Sequence, residues 1–80
     1  MVIVKLFAQV RELAGSSEIQ LELPDDARAA DIAPAIAARF PLVAPVMPSA
    51  RIAINRAFAD PDTPIRAGDE VAVIPPVSGG

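Results

Sequence analysis

The 80-residue sequence predicts an α+β roll, a mixed sheet of four to five strands with one main helix packed across it. Three observations predict it. Apolar and polar residues alternate in two stretches near the N-terminus and again near the C-terminus, the period of half-buried strands. Between them Ile32, Ile36 and Phe40 recur one helical turn apart, beside Ala29, Ala33 and Ala37. The order strand, strand, helix, strands lets the first and last strands lie adjacent and parallel, with the helix covering one sheet face.

Each element follows from local chemistry. Val2 to Ala8 is β-favouring, with Val2, Val4 and Leu6 on one face. Gln9 to Ala14 is helical in composition, and Gly15-Ser16-Ser17 turns the chain. Glu18 to Leu23 alternates strictly, so Ile19, Leu21 and Leu23 point inward and the polar face suits a sheet edge. The short connection makes the first two strands an antiparallel pair. Pro24-Asp25-Asp26 breaks the chain before the helix. An interior proline costs a helix about 3 kcal/mol, so Pro34 belongs in the first turn, which sets the start near Asp31 as N-cap. Pro41 ends the helix, and Pro45 and Pro48 make Leu42 to Ser49 an irregular connection.

Arg51 to Ile54 reads as a short strand with Ile52 and Ile54 inward, and Asn55-Arg56 turns it into Ala57-Phe58-Ala59. A loop at 60–64 and a tight turn at Ala67-Gly68-Asp69 lead into the last strand, Glu70 to Ile74. Proline cannot donate to a ladder, so Pro75-Pro76 stops it. Residues 1–74 are expected to form one domain, and 75–80 a flexible tail ending in Gly-Gly that packs little against it.

Composition narrows the function classes. A formal charge of −3 argues against nucleic acid, whose binders carry basic stripes. No run reaches the ~18 apolar residues of a membrane span, and the N-terminus lacks the pattern of a signal peptide, so a cytoplasmic protein is expected. Cysteine and histidine are absent, which removes disulfides, thiolate metal sites and the commonest general base. Ser16, Ser17, Ser49 and Ser78 have no histidine to activate them. Asp25-Asp26 and Asp60-Pro61-Asp62 sit in turn-forming contexts that explain them as solvated loop residues. No metal site and no activity of the isolated chain are expected.

The last six residues differ. Pro75-Pro76-Val77-Ser78-Gly79-Gly80 leaves the sheet, and fully extended it could reach about 20 Å. Two prolines favour an extended path. Two terminal glycines let an unhindered carboxylate enter a channel too narrow for other residues, where another enzyme could activate it. On composition alone, a merely frayed terminus accounts for the tail equally well.

Three stretches carry a resemblance that separates these readings. They are Val4 to Gly15, Ile54-Asn55, and Ala67 to Gly80, which with the pattern between them span nearly the whole chain. The sequence resembles the ubiquitin-like (β-grasp) sulfur carriers, and among them the small subunit of molybdopterin synthase, the MoaD family. The resemblance implies that a partner enzyme adenylates the Gly80 carboxylate with ATP, which makes the terminus a place of nucleotide contact. A persulfide donor then converts it to a thiocarboxylate. The tail inserts into the large synthase subunit, in an expected heterotetramer, and gives its sulfur to a cyclic pterin phosphate precursor to build the molybdopterin dithiolene. Gly80 carries the sulfur, while Gly79, Ser78, Val77, Pro76 and Pro75 thread the channel. No cofactor is held permanently. The lead-in Asp25-Asp26-Ala27-Arg28 lacks the glycine and threonine cap of such relatives, and Pro34 is also a departure.

Period two further predicts a docking face. With Val2, Val4 and Leu6 inward, Ile3, Lys5 and Phe7 face outward, together with Ala72 and Ile74. Phe7, Ile3 and Ile74 would form an apolar patch beside the tail's origin, with Arg11 at its rim. The competing expectation is that Leu42 to Ser49 folds over part of that patch. Other functional classes are a sulfur carrier for thiamine or another pathway, a protein modifier attached through Gly80, and a pure binding module. As a modifier the chain could self-link only through Lys5, its single lysine, or the N-terminus.

Overall fold

In the computed structural model, which describes residues 1–76, five strands form one mixed sheet. β1 (Val2–Leu6) leads through α1 (Ala8–Ala14) to β2 (Glu18–Leu21). A 3-10 turn at Ala29–Asp31 runs into α2 (Ile32–Arg39), followed by two more 3-10 turns, Pro41–Val43 and Met47–Ser49. β3 (Arg51–Ile54), β4 (Ala57–Phe58) and β5 (Glu70–Ile74) complete the sheet. Its order is β2-β1-β5-β3-β4, with β1 and β5 parallel at the centre and the other pairs antiparallel. This is the β-grasp roll that the sequence predicts.

The core lies between one face of the sheet and the helices. Val4, Leu6, Val71 and Val73 supply the sheet side and Ile32 and Ile36 the α2 side, all fully buried. Val10 of α1, Val43 and Met47 of the 3-10 turns, and Ile65 join the same cluster. The segment 42–49 therefore packs on the helix side and leaves the outer sheet face uncovered. No polar or charged side chain among the described residues is buried, so the core holds through apolar packing alone.

β2 is shorter than its alternation suggests. Its ladder ends because Leu21 pairs with Val2, the first residue of β1, and Leu23 has no partner strand to meet. Leu23 remains half-buried against the core.

α2 starts where the sequence places it, with Asp31 in the N-cap position, but the side-chain cap expected of Asp31 is absent. Asp31 already has helical dihedrals, and its carboxylate accepts from the Arg28 N–H at 2.8 Å instead of capping α2. The 3-10 turn before the helix puts the chain reversal earlier than a simple cap would. Its amides are satisfied across the fold, Ala29 donating to the Thr63 carbonyl at 2.8 Å and Ala30 to that of Pro61 at 3.0 Å. The 60–64 loop thus satisfies the first amides of the turn that leads into α2. Pro34 is the third residue of α2, inside the first turn, where its absent N–H costs little.

Two turns set the position of β5. Asn55 and Arg56 both adopt positive φ, 52° and 70°, the two-residue turn whose twist matches an antiparallel hairpin. Gly68, at φ 89°, closes the turn in which the Asp69 N–H donates to the Arg66 carbonyl at 3.0 Å. The two turns are clamped together. The Asn55 side chain donates to Asp69 Oδ1 at 3.1 Å and accepts from the Glu70 N–H at 3.0 Å. Asp69 Oδ2 accepts from the Arg66 N–H at 2.8 Å.

One boundary moves. Pro75 is buried, so the domain holds the chain one residue beyond Ile74, and the expectation that everything after Ile74 packs little is corrected there. Pro76 is exposed. The expected tail residues Val77, Ser78, Gly79 and Gly80 lie outside the described residues.

Two predictions follow from this packing. Ile36→Ala should cost about 2–5 kcal/mol in urea denaturation, against an expected total of roughly 4–12 kcal/mol for a chain of this size. An Ile36→Ala protein as stable as the parent would show that α2 does not close the core. Asp69 tests the turn clamp through pH. The hydrogen bond from the Arg66 N–H, then that from Asn55, hold its carboxyl below the ordinary value of 3.8. A lowered folded-state pKa means the group stabilises the fold fully above that value and ceases to as pH falls through the folded one. Asp69→Ala should therefore reduce stability at neutral pH, and its deficit should shrink on acidification below the folded pKa. A deficit that is constant with pH would show that the ionised carboxylate is not what holds the turn.

Candidate functional site

The described residues contain no cluster of His, Cys, Asp or Glu able to hold a metal. Asp25-Asp26 and Asp60-Asp62 lie exposed in turns, as their context suggests. What the fold offers instead is a surface: the face of the sheet turned away from the helices, together with the root of the tail.

The ladder register places this face residue by residue. Lys5 sits beside Ala72, Ala72 beside Ala53, and Ala53 beside Phe58, forming one row across four strands. On the next row toward the tail, Ile74 pairs with Arg51, and Phe7 follows the end of β1. Phe7, Phe58 and Ile74, with Ala53 and Ala72 as the floor, line a hollow of about 330 Å³. Lys5, Arg56 and Glu70 border it. Phe7 is 44% exposed and Phe58 56%, while Ile74 is half-buried.

Charges pin the lower side of the hollow. Glu70 receives Lys5 at 3.1 Å and Arg56 at 3.9 Å. These pairs are open to solvent and contribute little to stability, so their value lies in fixing side-chain positions. Outside the lining of the hollow, the Arg51 guanidinium lies 3.8 Å from the centre of the Phe58 ring.

A second hollow, about 650 Å³, surrounds the root of the tail and is lined by Phe7, Ala8, Gln9, Glu12, Ile74, Pro75 and Pro76. Ala8 has φ 49°, a left-handed conformation that costs an alanine about 1 kcal/mol. That residue makes the sharp step from β1 into α1, leaving Phe7 extended at φ −125° and ψ 156°. Phe7 consequently lines both hollows.

The expected patch is thus partly regrouped. Phe7 and Ile74 come together, but Ile3, 41% exposed, is set apart from them by Lys5 and its bond to Glu70. Arg11 lies exposed on α1 outside the lining of either hollow, where α1 presents Gln9 and Glu12. Phe58 takes the place given to Ile3. Its orientation was available in principle: a two-residue turn at Asn55-Arg56 pairs Ile54 with Ala57 and Ala53 with Phe58, so an outward Ala53 makes Phe58 outward too. Among the described residues, then, one apolar hollow and the exit of a glycine-ended chain share a single corner of the molecule.

Comparison with known proteins places this arrangement. The ThiS family model matches residues 4–80. The molybdopterin synthase sulfur carrier subunit of Chlamydomonas reinhardtii is 40% identical over 79 residues, covering 96% of this chain and 95% of that protein. The crystal structure of SAMP1 from Haloferax volcanii superposes with a TM-score of 0.87 at 31% identity, over 99% of this chain and 98% of that one. A Pyrococcus furiosus protein provisionally described as molybdopterin converting factor, subunit 1, gives a TM-score of 0.85 at 34% identity, over 95% and 97%. With a β-grasp sheet, a family match over residues 4–80 and a relative 40% identical over nearly its full length, this chain belongs to the ThiS family, alongside the molybdopterin synthase sulfur carrier subunits.

Proposed function

We propose that this chain is the sulfur carrier of a molybdopterin synthase. The observation that carries the reading is the near full-length likeness to a molybdopterin synthase sulfur carrier subunit, in a family match that extends through Gly80. The chemistry of the chain agrees with it. A carrier needs a terminus that other proteins can reach and no reactive side chains of its own, and this sequence has neither cysteine nor histidine.

In this reading an activating enzyme joins the Gly80 carboxylate to AMP from ATP. The terminal sulfur of a persulfide then displaces AMP to give an acyl disulfide, and a thiol reductant cleaves its S–S bond to release the thiocarboxylate. This donates its sulfur to a cyclic pterin precursor held by the large subunit, while water restores the carboxylate. Gly80 bears the sulfur, and Gly79, Ser78, Val77 and Pro76 supply the narrow approach. Buried Pro75 is the fixed point from which that reach is measured. Phe7 and Ile74, with Phe58, form the docking hollow, and Ile3 and Arg11 meet the periphery of the large subunit. The reaction has its place in the cytoplasm. No described helix is long and apolar enough to cross a membrane.

Two experiments test the reading. Phe7→Asp should leave the melting temperature nearly unchanged, since Phe7 is exposed, yet weaken calorimetric binding to the purified large subunit by about 30-fold or more. Unaltered affinity would remove Phe7 from the interface. Deleting Gly80 should change stability by no more than about 0.5 kcal/mol. The same deletion should abolish sulfur transfer, because each extended residue spans about 3.3 Å and a misplacement of about 1 Å can cost 100-fold in rate. Mass spectrometry after incubation with ATP, activating enzyme and sulfur donor should find the intact chain heavier by the difference between sulfur and oxygen, at Gly80. A truncated chain that supported dithiolene formation at the parent rate would overturn the sulfur-carrier reading, and a ladder of covalent adducts in cell extract would favour the modifier.

A further inference from the structure

The corner where the tail leaves the sheet holds an arginine that the fold positions but does not use. The chain carries a net charge of −3, yet Lys5 and Arg56 border the apolar hollow, and Arg51, outside its lining, stacks on the Phe58 ring that lines it. Lys5 and Arg56 share Glu70. Arg39, which also lies near a ring, that of Phe40, donates to the Gln20 carbonyl, and Arg28 donates to that of Asp62. Among the described residues the side chains of Arg51, Arg11 and Arg66 donate no hydrogen bond and join no ion pair, and of these three it is Arg51 that lies against an aromatic ring, that of Phe58 at 3.8 Å.

That contact has a chemical consequence. A guanidinium laid on an aromatic face is held in one plane by the ring's quadrupole, while its N–H donors point out around the edge of the stack. The entropy of ordering a long side chain is thus partly met before anything binds, and the planar fork that pairs bidentately with a carboxylate is left open. The position is informative as well. Arg51 pairs in register with Ile74, the last residue of β5, and the next residue is the buried Pro75. A group bound at Arg51 is therefore fixed relative to the point from which the tail departs.

We propose that Arg51, stacked on Phe58, is the receptor for a carboxylate side chain of the protein that covers the hollow. This rests on the reading that the face docks a synthase subunit, and adds the chemistry of that partner: an apolar projection for the space between Phe7, Phe58 and Ile74, with an Asp or Glu beside it. Charge complementarity selects this occupant. The β3–β4 side of the face is cationic on an otherwise acidic chain, and the apolar floor excludes a purely polar anion as the main contact. Glu18, opposite Lys5 on β2, lies at the other edge and would repel a partner carboxylate placed there, so the face also has a polarity that orients docking.

The test is calorimetric titration of the full-length chain with the purified large subunit. Arg51→Ala should weaken binding by about 30-fold, and Arg51→Glu by more. Arg51→Lys should recover little, because an ammonium neither stacks as a plane nor forms a fork. Raising salt should weaken the parent complex and affect the Arg51→Ala complex less. Melting temperatures should stay near the parent's, since Arg51 is exposed. Parent-like affinity of Arg51→Ala, or full recovery by lysine, would overturn the carboxylate receptor. If Phe7→Asp still disrupts the complex in that case, the docking reading stands without it; if neither change matters, the docking reading has itself failed. Sedimentation of the chain alone supplies a last arm: a dimer abolished by Arg51→Glu would assign the occupant to a second copy and likewise overturn the proposal.

Discussion

The parallel pairing of β1 with β5 is the constraint on which the rest of the molecule depends. It joins the two ends of the chain at the centre of the sheet, so both strands bury one face, through Val4 and Leu6 and through Val71 and Val73. A parallel pair needs a long crossover, and here the crossover contains α2, whose Ile32 and Ile36 close the core from the same side. The opposite sheet face receives no layer from the described residues. An open face and a C-terminal strand that ends beside it are thus consequences of one topological choice.

From that choice the site follows without any special chemistry. The ladder register brings Phe7, Ile74 and Phe58 from three parts of the sequence to one hollow, and the buried Pro75 fixes where the chain leaves it. Under the proposed function, a side chain able to act as nucleophile or general base would be a liability beside the activated carboxyl group of Gly80. Lysine, the amine such a group would acylate, occurs once, and its nitrogen is paired with Glu70. Under the proposed function the molecule presents its terminus and its partners supply the catalysis.

The sequence was legible where periodicity is unbroken. Strict alternation in Glu18 to Leu21 and Glu70 to Ile74, and the four-residue spacing of Ile32 and Ile36, correspond to the observed strands, helix and inward faces. It was not legible where a single apolar residue stands among prolines or polar neighbours: Val43, Met47 and Ile65 have no local period, and only the tertiary fold makes them core. Asp31 holds the N-cap position, but local sequence cannot reveal that its carboxylate turns back to the Arg28 N–H while a distant loop at 60–64 accepts the Ala29 and Ala30 amides. The outer face was half legible. Alternation identified Phe7 and Ile74, whereas separating Ile3 from them and adding Phe58 required the cross-strand register. Pro75 reads as a strand breaker, which it is, and its burial depends on neighbours that the sequence does not name.

Under the proposed function the chain delivers the sulfur of its own terminus. The most direct measurement loads the Gly80 thiocarboxylate with a heavy isotope of sulfur and mixes it with the purified large subunit and cyclic pterin precursor. Natural-abundance sulfide is supplied in excess. The product dithiolene should carry the heavy isotope at both sulfur positions, with two carrier chains returned to the carboxylate for each pterin converted. Product containing natural-abundance sulfur, or heavy sulfur still on the chain after the pterin is converted, would contradict it.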